Sequence, residues 1–212
     1  KCKAGQVCDD LINLMDLAPT YLEAAGLKPL PEMTGRSFLG LLTSAETSGS
    51  RNAVFLERER HAKVRAGDVG YPVRAIRTRE FLYLRNLRPD RWPAGDPQAH
   101  KDPKRTFGDC DDGPTKNYIL DHRDEPGMQQ VFQLCFGKRP AEELYDLSKD
   151  PHKINNVAGQ PGYSAAQNQL RAQLDQWMKD TTDPRAVKDD DHWDSYPYFG
   201  GGGGAKKAAA SK

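Results

Sequence analysis

The sequence predicts an α+β fold: a small antiparallel sheet packed by a C-terminal helix and preceded by a strand that feeds a helix. Three observations predict it. The runs Ala53 to Glu57, Val73 to Thr78 and Phe81 to Asn86 are rich in β-branched and aromatic residues, and only Arg79-Glu80 separates the last two, which reads as a hairpin. Much later, Leu170, Leu174, Trp177 and Met178 recur at i, i+4, i+7 and i+8, one apolar stripe of a helix that needs a sheet to cover. At the start, "LINLMDLAPTYLEAAG" changes from an apolar run to a helical period, and a strand leading straight into a capped helix is an α/β device.

In chain order, Leu11 to Leu14 is the expected first strand. Asp16 is the N-cap of the following helix, Pro19 falls in its first turn where a missing N–H does no harm, and Gly26 supplies the left-handed stop. "KPLPEMTGRSFLGLLTS" is a proline-interrupted loop ending in a short helical turn around Phe38 to Leu42. After the three β runs, Arg88 to Pro140 is turn-rich, with one helix expected around Pro126 to Phe136. "EELYDLSKDPHKINNVA" then gives a strand, Glu143 to Leu147, stopped at Asp150-Pro151. Ser164 with Gln167 makes a capping box for the striped helix. The chain divides by this reading into 1–45, 46–187 and 188–212, the last an acidic and aromatic stretch followed by a Gly/Lys/Ala-rich tail, largely disordered.

With 212 residues the chain is long enough to bury a real core, and 37% hydrophobic against 29% charged residues fits a globular protein. No apolar run approaches the roughly 20 residues that cross a bilayer, and "KCKAGQVCDD" has no signal-peptide core. The first residue is not Met, so a fragment of a longer protein is expected. Cys2, Cys8, Cys110 and Cys135 show neither a C-x-x-C pair nor zinc spacing; a Cys110–Cys135 bridge and unpaired thiols both stay open. "GDCDDG" lacks the alternating oxygen ligands of an EF-hand and reads as a solvated turn, and Asp189 to Asp191 beside His192 reads as a solvated charge run. No P-loop or dinucleotide fingerprint occurs.

Charge is where the chain becomes specific. Between Glu57 and Arg91 ten Lys and Arg stand against five acids, while the whole chain carries only +1. Strand alternation is read as turning Val73, Ala75 and the Phe81/Tyr83 set towards different faces from the arginines between them, which leaves one face basic. Guanidinium forks match sulfate and carboxylate oxygens, so a basic face suits a sulfated glycan; the plain alternative is that these arginines solvate an outward strand face. Nucleic acid would also be drawn to such a face, but the aromatics do not interleave with the basic residues as base-stacking platforms do. Nor is a membrane partner indicated.

"LINLMDLAPTYLEAAG…TGRSFLGLL", "VFLERERH…YPVRAIRTREFLYLRNL", "AEELYDLSKDPHKINNVA" and "LRAQLDQWMKDTTDPR", taken in order, resemble the C-terminal portion of a type I, formylglycine-dependent sulfatase. The branch they resemble is N-sulfoglucosamine sulfohydrolase, in the alkaline-phosphatase-like superfamily, and the likeness covers about Asp10 to Tyr198. It implies that the strand-helix start belongs to an α/β catalytic domain whose N-terminal part lies elsewhere. It implies an intact enzyme that hydrolyses sulfate esters or sulfamates of a sulfated glycan with formylglycine and calcium, neither bound by this chain. A periplasmic, secreted or lysosome-like location follows from the same resemblance. The C/S-x-P-S-R motif that yields formylglycine is absent: Cys135-Phe136-Gly137-Lys138-Arg139 lacks its Pro and Ser. No catalytic residue and no metal ligand is therefore expected here. The resemblance puts a substrate-facing His in the strand-end loop after the first β run, which is His61 in "ERERH", with a surface histidine as the alternative. The expected substrate-binding set is His61, Arg60, Arg58 and Arg74.

Overall fold

A computed structural model describes residues 2, 4–43, 51–98 and 106–197. Helices α1 (Leu17–Ala24) and α2 (Leu39–Thr43) come first, followed by strands β1 (Val54–Arg58), β2 (Val73–Arg77) and β3 (Phe81–Asn86). Then come α3 (Pro114–Asp121), α4 (Met128–Phe136), β4 (Glu142–Asp146), α5 (Ser164–Asp180) and α6 (Pro184–Val187). The fold is α+β, with the four strands in one antiparallel sheet in the order β1-β2-β3-β4. Contacts group the chain into two compact units, Lys1–Glu57 with Val73–Arg85 and Glu142–Ala186, and Arg58–Pro72 with Asn86–Ala141 and Val187–Lys212.

In the first unit β3 and β4 run antiparallel in the register Phe81↔Asp146 to Arg85↔Glu142. The stripe of α5 covers the sheet: Leu170, Leu174 and Met178 are buried with Ile76, Tyr83 and Leu144. Trp177 lies parallel on Phe55 with ring centroids 5.0 Å apart. Fully burying an aliphatic side chain of this size contributes ~1.5–3 kcal/mol, so this small cluster is what keeps α5 on the sheet. The helix begins as expected, but without the capping box: Ser164 is its first helical residue, and the Gln167 carbonyl accepts from Gly159 N at 2.8 Å.

The arginines do not form a separate strand face. Alternate residues share a face, so Arg74 lies with Ile76, and Arg85 lies with Tyr83, on the side that α5 covers. Each guanidinium there meets a carboxylate: Arg74 donates to Asp183 at 2.6 and 3.1 Å, and Arg85 to Asp175 at 2.7 Å. Burial alone would raise the Asp183 carboxyl, but the Arg74 hydrogen bonds and the Arg185 N–H hold it below the usual range.

The exposed edge of β4 is closed by the "INNVA" segment. Val157 N donates to Leu144 O at 2.9 Å, and the Asn156 side chain accepts from Leu144 N and donates to Glu142 O, at 2.9 and 3.2 Å. An amide side chain here takes the place of a fifth strand's backbone. The turn before it is built on two carboxylates: Asp146 accepts from Ser148 Oγ at 2.5 Å, and Asp150 accepts from Ile154 N and Asn155 N, each at 2.7 Å.

Leu11 to Leu14 is not a strand. Its backbone passes into a 3-10 turn, Leu14–Asp16, in which Asn13 N donates to the Asp16 carboxylate at 2.7 Å, while the Asn13 side chain donates through Nδ2 to the backbone carbonyl of Phe55 at 2.8 Å. Asp16 stands at the N-cap position of α1 as expected, but its side chain makes no capping hydrogen bond to that helix. Its carboxylate is buried and also accepts from Arg36 N at 2.8 Å and from the Arg51 guanidinium. Burial would raise it, and the Arg51, Arg36 and Asn13 donors keep it low. The loop carrying Arg36 approaches so closely that a Cβ on Gly35 would lie 2.2 Å from Met15 O, which is why a glycine stands there. These bonds lie within the unit that groups Lys1–Glu57 with the sheet.

In the second unit Ala94, Phe107, Ile119 and Phe136 form the buried cluster, with Phe107 4.9 Å from Phe136 and 5.8 Å from both Trp92 and Phe132. Helix α3 has no counterpart in the sequence reading. Gly113-Pro114 looks like a turn, yet Pro114 is the first helical residue, where proline is favoured. None of the four cysteines is in a disulfide, so the Cys110–Cys135 bridge is not formed; burial pushes the Cys110 thiol up. Residues 188–197 are folded, with a 3-10 turn at His192–Ser195, while the expected disorder of the Gly/Lys/Ala tail lies outside the described residues.

Candidate functional site

Strand β1 ends at Arg58, and the loop that follows carries Arg60, His61 and Arg65. What gathers them is Asp109. The left-handed Gly95, φ +94°, sits against Gly108 so tightly that a Cβ would fall 2.8 Å from Gly108 N. That approach lets Asp109 N donate to Ala94 O at 2.9 Å and sets the carboxylate at the loop, with 3% of its side chain exposed. Arg65, buried, donates through Nη2 to Asp109 Oδ2 at 2.5 Å and to Pro93 O at 2.8 Å, and through Nε to Trp92 O at 2.7 Å. Its guanidinium also stands 5.7 Å over the Tyr71 ring.

Arg58 reaches the same oxygen from the open side, at 3.2 Å, and donates to Pro93 O at 3.1 Å. His61 Nδ1 lies 3.1 Å from Asp109 Oδ1, with 65% of its side chain exposed. The Asp109 carboxylate thus joins two guanidiniums and an imidazole, and of these Arg58 and His61 lie on the exposed side of the group. Such a pair can donate to the oxygens of a sulfate or carboxylate, or hold a sugar hydroxyl.

The other expected site residues lie elsewhere. Arg60 clamps backbone carbonyls: it donates to Asp68 O at 3.0 Å, Asp194 O at 3.3 Å and Tyr196 O at 2.6 Å. Arg74, in the first unit, is buried against Asp183, so it is not presented to solvent. The acidic run after Lys188 is no solvated tail: Arg88 donates to Asp189 and Asp191 at 3.0 and 2.7 Å, and Arg91 to Asp191 and Asp194 at 2.8 and 2.9 Å. Asp194 Oδ1 further accepts from Gly70 N at 2.7 Å. Asp109 is the site residue the sequence reading missed. The signal for it was the local excess of basic residues, which requires acids from other parts of the chain, but nothing distinguished Asp109 from Asp111 and Asp112.

A family model described as N-sulphoglucosamine sulphohydrolase, C-terminal, matches residues 1–117. An ulvan-active sulfatase of Formosa agariphila is 31% identical over 193 residues, which cover 84% of this chain and 27% of that protein. The N-sulphoglucosamine sulphohydrolase of Homo sapiens is 29% identical over 192 residues, 85% of this chain and 34% of that one. The chain therefore spans about a third or less of the length of these relatives. Among solved structures, a putative sulfatase from Bacteroides thetaiotaomicron superposes with a TM-score of 0.51 at 22% identity, over 81% of this chain and 25% of that chain. A 2-O GAG sulfatase gives 0.50 at 21% identity, over 81% and 26%. These superpositions carry the fold alone; the family match, over more than half of the chain, says where it belongs: it is a member of the N-sulphoglucosamine sulphohydrolase C-terminal family.

Proposed function

We propose that this chain is the part of a sulfatase that walls one side of the sulfate pocket and reads the sugar, in an intact enzyme that hydrolyses sulfate esters or sulfamates of a sulfated glycan. The observation that carries the reading is the exposed His61 and Arg58 pair, held on the buried Asp109 carboxylate in a chain of this family. The relatives named for ulvan and for N-sulphoglucosamine support a sulfated carbohydrate as the substrate class. On this reading Arg60 serves the site by holding the turn at Asp194 to Tyr196 rather than by touching the glycan, and Arg74, in the other unit, ties β2 to the segment after α5.

Formylglycine and calcium are implied by the resemblance, but the residues present do not fit them. No C/S-x-P-S-R string occurs, and among the described residues no group of three or more His, Cys, Asp or Glu could hold a metal ion. Both groups belong, on this reading, to an N-terminal catalytic domain, the partner this chain requires. A structural share in that domain is supported by the apolar surface of the first segment, where Leu14, Tyr21, Leu27 and Leu30 are 83%, 66%, 58% and 58% exposed. No helix among the described residues is long and apolar enough to cross a membrane.

The test is hydrolysis by the long and short proteins. A protein extended to include the nucleophile motif should release sulfate from sulfated oligosaccharides, and the 212-residue chain alone should release none from an aryl sulfate. Turnover by the purified short chain refutes the division of labour; an inactive long protein favours a polyanion-binding or structural accessory module without catalysis.

A further inference from the structure

We propose that Asp109 is the positioning residue of this site: its carboxylate fixes the His61 ring in the Nδ1–H tautomer and holds Arg58 beside it. The inference rests on the reading of His61 and Arg58 as the groups that hold the sugar. An ionised carboxylate is acceptor only, so the ring nitrogen 3.1 Å from Oδ1 carries the proton of that bond. In the neutral ring Nε2 then bears the lone pair and accepts from a sugar hydroxyl; in the charged ring Nε2 is a second donor, suited to a sulfate oxygen. A ring that is 65% exposed is little held by enclosure, so the Asp109 bond contributes to its orientation and losing that bond should loosen it.

The second oxygen holds Arg58, and the carboxylate is itself held by the buried Arg65 and by the Asp109 N–H on Ala94 O. One buried acid, 48 residues along the chain from His61, therefore preorganises two contacts at once. Preorganisation of this kind lowers the ordering cost of binding and touches no reacting atom.

The experiment is a double-variant cycle in the intact enzyme, with KM and kcat measured on a sulfated oligosaccharide. Asp109→Asn and His61→Ala should each raise KM roughly tenfold to hundredfold with kcat within a few fold, as for loss of a hydrogen bond to a charged group. The two effects together should fall well short of their product, because both remove the same contact. Effects that multiply overturn the proposal. Asp109→Asn also leaves Arg65 buried without its charge partner, so the variant could fail to fold. The unsubstituted enzyme then decides: with ring-labelled histidine, His61 should show a protonated Nδ1 at a pH where the ring is neutral, and an Nε2–H tautomer overturns the proposal. An unchanged KM in His61→Ala sinks the sugar-holding reading instead, whatever the tautomer shows.

Discussion

At the scale of single residues, this chain invests carboxylates in turns and in pairing arginines. Asp146 shows the consequence most clearly. The Ser148 hydroxyl donates to it at 2.5 Å, and Lys149 and Tyr163 add further contacts, so its carboxyl is held at about 2, against 3.8 for an unperturbed one. A depressed native value means that the charged form is favoured by folding. Stability from Asp146 is therefore present above pH 3.8 and is lost as pH falls from there towards about 2. The difference in urea midpoint between the wild-type chain and Asp146→Asn should be largest near pH 6 and should shrink across that acid window. A difference that stays constant down to pH 2 would contradict the pairing described here. Asp109 belongs to the same class of residue, but its partners come from a loop 44 to 51 residues away in sequence, so no local pattern announces it.

At the scale of elements, the Arg74–Asp183 pair ties β2 to the segment that follows α5, and both side chains are 2% exposed. Removing one partner of a buried ion pair leaves an uncompensated charge and costs roughly 3–5 kcal/mol. Asp183→Asn should therefore lower the unfolding midpoint far more than Arg77→Ala, whose side chain is exposed and whose loss should stay within about 0.5 kcal/mol. Equal midpoints in urea would mean that Arg74 is not the tie we describe. The same elements show what sequence makes legible. β3 was read residue for residue because period-2 alternation and a two-residue turn are local signals, and α5 because its stripe spans two turns and more. Leu11 to Leu14 was misread because apolarity alone does not make a strand; the backbone there is bound to Asp16, whose own ties to Arg36 and Arg51 come from 20 and 35 residues away. The supposed basic face failed on parity: Arg85 shares its side with Tyr83, and the arginines on that side are neutralised by acids from α5 and beyond. Helix α3 was hidden because Gly-Pro signals a turn and a helix start equally well.

At the scale of the whole molecule, the chain is a C-terminal family member with a basic site but without a nucleophile motif. On the proposed reading this site holds the sugar and not the reacting sulfur. Contacts of that kind are present in ground state and transition state alike, so they appear in KM. A small aryl sulfate has no sugar to hold. The measurement that tests the claim most directly is steady-state kinetics of His61→Ala in the intact enzyme, on a sulfated oligosaccharide and an aryl sulfate side by side. A raised KM on the oligosaccharide alone is expected, with kcat on both substrates within a few fold of the unsubstituted enzyme. A large fall in kcat on the aryl sulfate, with the fold intact, would contradict it and make His61 part of the chemistry.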